Sequence, residues 1–533
     1  MGNEEVDVLV VGAGASAAAF AWSLSEKNIE VLCIEQGTEI NPREYPASKQ
    51  DWEISRQKDF HPDPNVRKHK YDYPINNKES DIIPTMYNGI GGSTIIWSAH
   101  FPRLHPSDFK VKTLDKIADD WPINYEYLEP YYNINDKMIG VSGMIGDPAY
   151  PPKVQRQTKP LPLGKLGSKL VSGFEKLGWH WWPSDSAIIT EPYDGREECN
   201  SAGTCDIGCY RRAKASADVT YWPKALMNGV IIKDKCTVRE ITIKKNGLVD
   251  GVIYYDSEGK IQIQKAKIVI LACNGVGTPR LLLNSISSLF PNGLANNSGL
   301  VGKNLMFHPI SVVTGVFDSA IESFKGPPGC SIFSHEFYET DYNRNYLRGF
   351  MFQIGRGSGP LTTATGGLGL GKIPWGKNHH NIFKELYGNT MNIGIICEDL
   401  PEVNNNVSLD PVLTDKYGIP APKVKYKLSN NSKKMIDFGN KCAKKLMNAS
   451  GANKLFVARH MNGYHLLGTA RMGYDPEQSV VDKHGRCHDV KNLFIIDGSI
   501  FVTSGAVNPT STIQALSLSI ADYIKINAKN ILD

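Results

Sequence analysis

The chain has 533 residues, more than one small core needs, and its 41% hydrophobic and 21% charged residues are typical of a globular protein in water. Its 59 Lys and Arg residues nearly balance its 55 Asp and Glu residues, and a net charge of +4 predicts no nucleic-acid or membrane partner. The sequence contains no run of about 18 apolar residues, so no membrane-spanning helix is expected.

The N-terminal segment predicts a strand, a turn, a helix and a second strand. The run "VDVLVVGAG" from Val6 is apolar and β-branched, as in a buried parallel strand. The segment "ASAAAFAWSLSEKN" predicts an amphipathic helix, and "IEVLCIEQG" predicts a strand that ends at Glu35. The acidic start does not resemble a secretory signal, and seven of the ten cysteines are scattered singly, so we expect a cytoplasmic protein.

The turn between this strand and helix has the spacing Gly12-x-Gly14-x-x-Ala17, which is typical of dinucleotide binding. Gly12 permits the turn, Gly14 lets the backbone approach a pyrophosphate, and Ala17 keeps the helix close to the strand. The helix N-terminus offers N–H groups to phosphates, and Glu35 can accept hydrogen bonds from ribose hydroxyls. The alternative is a chance strand–turn–helix, and the motif alone does not separate FAD from NAD.

The remaining chain predicts a large mixed structure. Residues 45–85 are polar and predict an excursion over the surface, whereas residues 105–200 show no clear periodicity. Residues 229–274 alternate at period two and predict a β-meander followed by a buried strand. Residues 305–460 mix strands and loops, and the C-terminal end predicts a strand, a loop and a long apolar helix.

Six segments resemble, in order, the motifs of the glucose–methanol–choline (GMC) family of FAD-dependent alcohol oxidoreductases: "VVGAGASAAAFAWSLSE", "NGIGGSTIIWSAHFPRL", "ILACNGVGTPRLLLNS", "GLVGKNLMFHP", "HLLGTARMG" and "IIDGSIFVTSGAVNPTSTIQALSLSIADYI". The resemblance covers nearly the full length. It implies an α/β fold with a discontinuous Rossmann-type FAD-binding domain (1–110, 200–310 and 460–533). It also implies an α+β substrate-binding domain (111–199 and 311–459), with a cysteine-rich loop at its border.

The same resemblance implies the cofactor-binding residues. Gly91, Gly92, Ser93 and Ser98 are expected over the flavin ring, Val238 near the adenine and Ala272 in the nucleotide cleft. Asp497 and Gly498 are expected to approach the pyrophosphate, and the backbone of Pro509 and Thr510 to face the pyrimidine edge of the flavin. Ser16 joins Gly12, Gly14, Ala17 and Glu35 in the predicted nucleotide-binding set.

Two positions depart from the family pattern. Members that bind FAD covalently carry a histidine where this chain has Ile96, and an isoleucine side chain cannot be alkylated by a flavin. We therefore expect non-covalent FAD. Asn274 stands where most relatives have glycine, which leaves the local turn open.

His465 and Asn508 are the predicted catalytic pair, because the family places a histidine and a second His or Asn at these positions beside the flavin. Alcohol oxidation moves the hydroxyl proton to a base and the carbinol hydride to the flavin. An imidazole titrates near neutrality and suits the proton transfer. Asn508 does not titrate, so it would orient the hydroxyl by hydrogen bonding. His308 and the other histidines are interpreted as structural.

The segments "IIWSAHFPRLHPSDF", "DWPINYEYLEPYY" and "GDPAYPP" resemble the bacterial branch of glucoside 3-dehydrogenases and FAD-dependent glucose dehydrogenases. That resemblance implies oxidation of a secondary hydroxyl of a sugar or glycoside, with C3 and a 3-keto-glycoside as one outcome. Trp181, Trp182 and Tyr464 could stack on a sugar ring. The alternatives are an O₂-using pyranose or alcohol oxidase of the same family and an FAD-containing lyase.

Three of the ten cysteines fall in "CNSAGTCDIGCYRRAK" with the spacing Cys199-x5-Cys205-x3-Cys209. Zinc normally takes four ligands, whereas a 3Fe-4S cluster takes three thiolates, and the basic residues that follow would offset their charge. The loop resembles the cluster loop of FAD-dependent glucose and glucoside dehydrogenases. That resemblance implies a cytochrome c acceptor and a small helper subunit whose export signal would make the protein periplasmic. Tolerated cysteines, a disulfide or another metal remain alternatives.

Overall fold

The computed structural model describes residues 4–27, 29–329, 331–366, 370 and 373–532. The strands are β1 Val6–Val11, β2 Val31–Ile34, β3 Asn76–Ser80, β4 Ile83–Pro84, β5 Trp182–Pro183, β6 Ile231–Lys233, β7 Thr237–Ile243, β8 Val249–Tyr255, β9 Ile261–Leu271, β10 Ile310–Val316, β11 Ile332–Ser334, β12 Phe350–Gly355, β13 Thr390–Cys397, β14 Asn406–Thr414, β15 Pro420–Tyr426, β16 Lys454–His460, β17 Asn462–Gly463 and β18 Leu493–Ile495. The helices are α1 Ala15–Leu24, α2 Trp52–Gln57, α3 Pro64–Arg67, α4 Val111–Asp115, α5 Tyr125–Ile139, α6 Gly164–Leu177, α7 Tyr221–Met227, α8 Asn274–Asn284, α9 Pro360–Thr365, α10 His379–Leu386, α11 Asn430–Ala449, α12 Thr510–Ile526 and α13 Ala528–Leu532. Across the described ranges, no helix combines the length and apolar character needed to cross a bilayer.

β1 lies inside a seven-stranded sheet with the order β6-β2-β1-β9-β8-β7, to which β18 is added beside β9. It is parallel to both of its neighbours, β2 and β9, and Val8, Leu9 and Val10 are completely buried. The predicted buried parallel strand is therefore confirmed. β7, β8 and β9 pair antiparallel, which confirms the predicted meander, whereas β6 lies apart from it and pairs in parallel with β2.

Helix α1 is buried on nearly all sides, so the prediction of an amphipathic helix is wrong. Within α1 only Ala15 and Trp22 are not fully buried. α1 packs against α12 and α7, and its small side chains let these helices approach closely. A helix enclosed in this way needs no polar face.

A second, antiparallel sheet of six strands has the order β16-β10-β13-β12-β11-β5. The long helix α11 packs against it. Side chains alternate along a strand, so Gln353 and Gly355 on β12 and Asn392 and Gly394 on β13 share one face, and all four line the main cavity. The boundary between the two predicted domains remains a prediction.

Residues 45–85 run over the surface only in part, with residues 48–51, 57–59 and 68–70 exposed. Tyr45 and Phe60 are buried, and Glu53, Arg56 and Phe60 line the same cavity as the six-stranded sheet. The segment therefore forms part of the cavity wall. Its many polar residues suggested contact with solvent. A cavity wall can carry polar residues too, because it also contacts water or a polar ligand.

Candidate functional site

A continuous cavity of about 710 Å³ is lined both by the turn that precedes α1 and by the six-stranded sheet. The predicted site residues that line it are Gly12, Gly14, Ser16, Glu35, Gly92, Ser93, Ser98, Val238, Ala272, His465, Asp497, Gly498, Asn508, Pro509 and Thr510. Ala17 and Gly91 do not line it. Ala17 is buried within α1, and Gly91 lies against Asp218, where an added Cβ would come within 3.1 Å.

The turn before α1 has the shape and donors that a pyrophosphate requires. Gly12 has a φ of +98°, and a Cβ there would lie 2.7 Å from the carbonyl oxygen of Ala272. A Cβ at Gly14 would meet nothing within 4 Å, so this glycine faces open space. Helix α1 has no side-chain cap at its N-terminus. Its first N–H groups are thus available to phosphate oxygens, and this end of the cavity fits FAD.

Glu35 lies where the ribose-binding residue was predicted. Its carboxylate accepts hydrogen bonds from the backbone N–H groups of Ala13 and Gly37, each at 2.8 Å. Burial raises the pKa of Glu35 to about 7, against the opposing effect of these N–H groups. The bonds fix the carboxylate at the cavity wall, where its remaining lone pairs can accept from ribose hydroxyls.

The Asp497 carboxylate, beside the predicted pyrophosphate position, is held by hydrogen bonds from neighbouring protein groups. It accepts hydrogen bonds from Asn274 N at 3.0 Å, Thr278 Oγ1 at 2.5 Å and Ser499 N at 2.9 Å. Asn274 has a φ of +68°, a left-handed conformation that asparagine tolerates better than most residues. Asn274 therefore keeps a glycine-like backbone at this turn.

We expect FAD to leave the protein on denaturation, because Ile96, which lines the cavity at the family's linking position, offers no nucleophile. Acid precipitation of the purified holoprotein should give a colourless pellet and a yellow supernatant. Yellow colour that stays in the washed pellet would show a covalent link and contradict this expectation.

His465 and His308 are brought together by two chain segments 157 residues apart. Met306 and Leu467 exchange backbone hydrogen bonds of 3.0 and 3.1 Å, which places the two histidines side by side. The two Nδ1 atoms are 2.7 Å apart and the rings are nearly perpendicular, at 85°. On its other side, His308 Nε2 lies 2.8 Å from the carbonyl oxygen of Gly505.

These contacts determine which nitrogen of His465 is free. A carbonyl oxygen can only accept, so His308 must carry its proton on Nε2 and donate it to Gly505. The Nδ1 of a neutral His308 is then a lone pair that accepts the Nδ1–H of His465. The Nε2 of His465 is left unprotonated, which is the state that a general base requires.

The electrostatic surroundings keep both rings neutral. Burial lowers the pKa of His308 to about 4. Burial, His308 and His100, in that order, hold the pKa of His465 well below its usual range. His465 nevertheless keeps partial exposure to the cavity. A base that stays neutral and reachable near neutral pH can take a proton from an alcohol.

Asn508 lies just before α12 and is oriented by Gln353 on β12. The Gln353 Nε2 donates a hydrogen bond to Asn508 Oδ1. The carbonyl oxygen of Asn508 is therefore occupied, and its Nδ2, which has no acceptor among the described residues, can donate to a ligand in the cavity. Donor and base, Asn508 and His465, line the same cavity.

The sequence interpretation missed His308, Gln353 and His100, all of which contact the predicted catalytic pair or line its cavity. His308 was interpreted as structural, and its position within a family segment was the one available signal. Of the three aromatic residues predicted to stack on a sugar, Tyr464 lines the cavity, whereas Trp181 and Trp182 do not.

The cysteine loop packs against the 3₁₀ helix Gly92–Ile95, whose residues Gly92, Ser93 and Thr94 line the cavity. Gly208 N donates to Ile95 O at 3.0 Å, and the buried Lys214 Nζ donates to Ile95 O at 2.5 Å and to Cys205 O at 2.6 Å. The thiols of Cys199, Cys205 and Cys209 are free, so they form no disulfide with one another. Burial raises the pKa of the Cys205 thiol. Over the part of the chain that the structure describes, no three His, Cys, Asp or Glu side chains converge on a single metal-ion position.

Known proteins similar to this chain include dehydrogenases and oxidases. A 2-methyl-1,2-propanediol dehydrogenase of Mycolicibacterium austroafricanum is 41% identical over 99% of this chain and 97% of its own length. The fructose dehydrogenase large subunit of Gluconobacter japonicus is 29% identical over 98% of this chain and 99% of its own. A solved formate oxidase variant of Aspergillus oryzae RIB40 matches with a TM-score of 0.68 over 100% of both chains, at 15% identity, which shows a shared fold.

The family profiles agree with these relatives and with the motifs. The N-terminal GMC oxidoreductase model matches residues 6–310, and the C-terminal GMC oxidoreductase model matches residues 401–517. The predicted family and fold class are confirmed. With its nucleotide cleft, its His465–Asn508 pair and a 41% identical dehydrogenase relative, this chain belongs to the GMC oxidoreductase family of FAD-dependent enzymes.

Proposed function

We propose that the enzyme is a dehydrogenase that oxidises one hydroxyl of a small neutral polyhydroxy alcohol. A vicinal diol is the first candidate substrate, and a sugar or glycoside is the second. The observation that carries the proposal is the hydrogen-bond chain Gly505–His308–His465, which leaves His465 Nε2 as a free base in the cavity. Asn508, held by Gln353, presents a donor to the same space.

The chain's own residues account for the proton transfer. His465 Nε2 accepts the hydroxyl proton, and the Asn508 Nδ2–H stabilises the negative charge that grows on the substrate oxygen. When bound, FAD would accept the hydride that leaves the carbinol carbon. His308 holds the imidazole in the reactive tautomer, and the backbone carbonyl of Gly505 holds His308 in turn.

The lining of the cavity favours a neutral substrate. Arg56 and Asp206 line it and neutralise each other in an ion pair of 2.7 Å, and the Glu53 carboxylate in the same wall accepts hydrogen bonds from the backbone N–H groups of Leu361 and Thr362. Ile310, Val312 and Ile396 contribute apolar wall on the six-stranded sheet. An uncompensated charge would suit a carboxylate or ammonium substrate, whereas a paired charge beside apolar wall suits hydroxyl groups and carbon skeleton.

The relatives support a diol ahead of a sugar. The 41% identical relative carries 2-methyl-1,2-propanediol in its name, and the 29% identical one carries fructose. In 2-methyl-1,2-propanediol the tertiary carbon has no hydrogen, so only the primary alcohol can lose a hydride. The C3 oxidation of a glucoside, predicted from the sequence resemblance, stays within the proposal as the sugar alternative.

An anaerobic panel tests the proposal. The holoenzyme is mixed in separate samples with vicinal diols, free sugars, glucosides and choline, and the flavin absorbance is followed. We expect bleaching with diols or sugars and none with choline. Air is then admitted, and slow reoxidation supports a dehydrogenase, whereas fast reoxidation supports the oxidase alternative. A flavin that stays oxidised with every alcohol would contradict the proposal and favour a lyase.

We also propose that Cys199, Cys205 and Cys209 bind a 3Fe-4S cluster. A cluster spreads its ligands over several irons, so the thiols need not converge on one point. The donor set is chemically suitable, since all three thiols are free. Lys214 is buried and donates to backbone carbonyls rather than to a carboxylate, so its charge remains available to thiolates. Such a cluster would give electrons an exit from the flavin.

Replacing Cys205 by Ser should abolish bound iron and acid-labile sulfide, because the most buried of the three thiolates is lost. The measurement is metal and sulfide analysis with EPR on anaerobically purified, oxidised protein, with about three irons per FAD expected for the wild type. Cys442→Ser, a free thiol on α11, is the matched control and should keep its iron. Iron-free wild-type protein from iron-replete cells would contradict the cluster.

Electron exit through a cluster implies a partner. We propose that a redox protein such as cytochrome c accepts the electrons, and that a small helper subunit accompanies this chain and carries it to the periplasm. The similarity to a protein named as a large subunit supports an assembly.

A further inference from the structure

Two polar side chains, His100 and Gln353, line the cavity beside the predicted catalytic pair. The imidazole of His100 lines the cavity but is only 4% exposed, and its Nδ1 has no hydrogen-bond partner in the described ranges. Gln353 is only partly buried, lines the same cavity and donates one amide hydrogen to Asn508 Oδ1. A buried polar side chain without a full set of partners is costly, so His100 indicates a ligand in the cavity.

Both groups lie close to the reacting position. His100 is near enough to His465 to lower its pKa, and Gln353 is hydrogen-bonded to Asn508. Gly329 connects the two. A Cβ on Gly329 would lie 2.5 Å from His100 Nε2 and 3.2 Å from the carbonyl oxygen of Ile354, the residue after Gln353 on β12. His100 therefore stands against the same strand that carries Gln353.

We propose that His100 and the carboxamide oxygen of Gln353 form a subsite for a second hydroxyl group, on the carbon next to the one that is oxidised. The Asn508 donor and the Gln353 acceptor belong to two hydrogen-bonded amides, so they are neighbouring groups of opposite polarity. Two hydroxyls on adjacent carbons match such a pair, one as an acceptor of a hydrogen bond and one as a donor. His100 provides the remaining contact to the second hydroxyl.

The chemistry of His100 suits a hydroxyl and not an ion. Burial lowers the pKa of His100 to about 4, so the ring is neutral near pH 7 and has one donor and one acceptor nitrogen. A hydroxyl in the cavity can donate to or accept from the His100 Nε2, according to the tautomer of the ring. This subsite rests on the proposed function, because it assumes that His465 and Asn508 bind the reacting hydroxyl.

The test compares two alcohols of nearly equal shape on the holoenzyme, 2-methyl-1,2-propanediol and 2,2-dimethyl-1-propanol. In the second alcohol a methyl group replaces the tertiary hydroxyl. We expect the wild type to prefer the diol in kcat/KM by about 10- to 10²-fold, because the monoalcohol leaves His100 and Gln353 unsatisfied. The preference should appear mainly in KM.

His100→Leu should reduce that preference to nearly one, and His100→Gln, which keeps a donor and an acceptor, should restore part of it. His380→Leu, on an exposed position of α10, is the control and should keep the wild-type preference. The ratio of kcat/KM for the diol to kcat/KM for the monoalcohol, measured on one preparation, does not depend on the fraction of folded enzyme.

Two results would overturn the subsite while leaving the proposed function intact. One is a wild type that reduces its flavin equally well with both alcohols. The other is a His100→Leu variant that keeps the full preference for the diol. If neither alcohol nor any other in the panel bleaches the flavin, the proposed function itself fails, and the subsite fails with it.

Discussion

Replacing His465 by Ala is expected to lower the rate of flavin reduction by about 10²- to 10⁴-fold, the usual size of a general-base contribution. The structure gives His465 a free Nε2 and a neutral ring, and burial and two neighbouring imidazoles keep the ring neutral. Without it, an alcohol with a pKa far above neutrality must lose its proton to water. Anaerobic stopped-flow measurement of flavin bleaching at saturating substrate gives the rate directly.

Substrate binding should change much less than the rate, because Asn508 and Gln353 remain in place. His380→Ala is the matched control, since this histidine is exposed on α10 and does not line the cavity. A His465→Ala enzyme that bleaches at the wild-type rate would remove this residue from the mechanism.

Replacing His308 by Leu is expected to slow flavin reduction by about 10²-fold, the effect of misplacing a reacting group. The leucine cannot accept the Nδ1–H of His465, so the imidazole loses both its orientation and its tautomer preference. His308 also lowers the pKa of His465. Its removal should raise that pKa, and because the base must be neutral, the acid limb of the rate should move to higher pH.

A structural defect alone would slow the reaction without moving the acid limb. His308→Gln separates the two, because a glutamine amide can accept from His465 and donate to the Gly505 carbonyl as the imidazole does. We expect it to recover much of the rate. An unshifted pH profile in His308→Leu would count against the positioning role.

The N-terminal strand and turn could be predicted because their information is local. Val6–Val11 is a continuous apolar run. Gly12 is required by a turn in which a Cβ would clash with the carbonyl oxygen of Ala272, and Gly14 leaves the space beside it open. The GMC motifs likewise identify His465 and Asn508, and both line the cavity. The prediction that α1 is amphipathic was wrong because α1 packs against α7 and α12, which are distant from it in sequence.

The residues that contact the predicted catalytic pair could not be predicted for the same reason. His308 is 157 positions from His465, and Gln353 is 155 positions from Asn508. Nothing in the neighbouring sequence indicates either contact. The first depends on how segments 305–308 and 465–467 pair, and the second depends on where β12 lies. The cysteine spacing was visible in the sequence, but its contact with the Gly92–Ile95 helix was not.

The most direct test of the central claim is anaerobic single-turnover reduction of the wild-type holoenzyme by 2-methyl-1,2-propanediol, with and without deuterium on C1. If His465 removes the hydroxyl proton while a hydride leaves C1, the diol bleaches the flavin. Deuterium on C1 then slows the bleaching several-fold, because the C1–H bond is broken in this step. A flavin that stays fully oxidised with saturating diol and with every sugar in the panel would contradict the account.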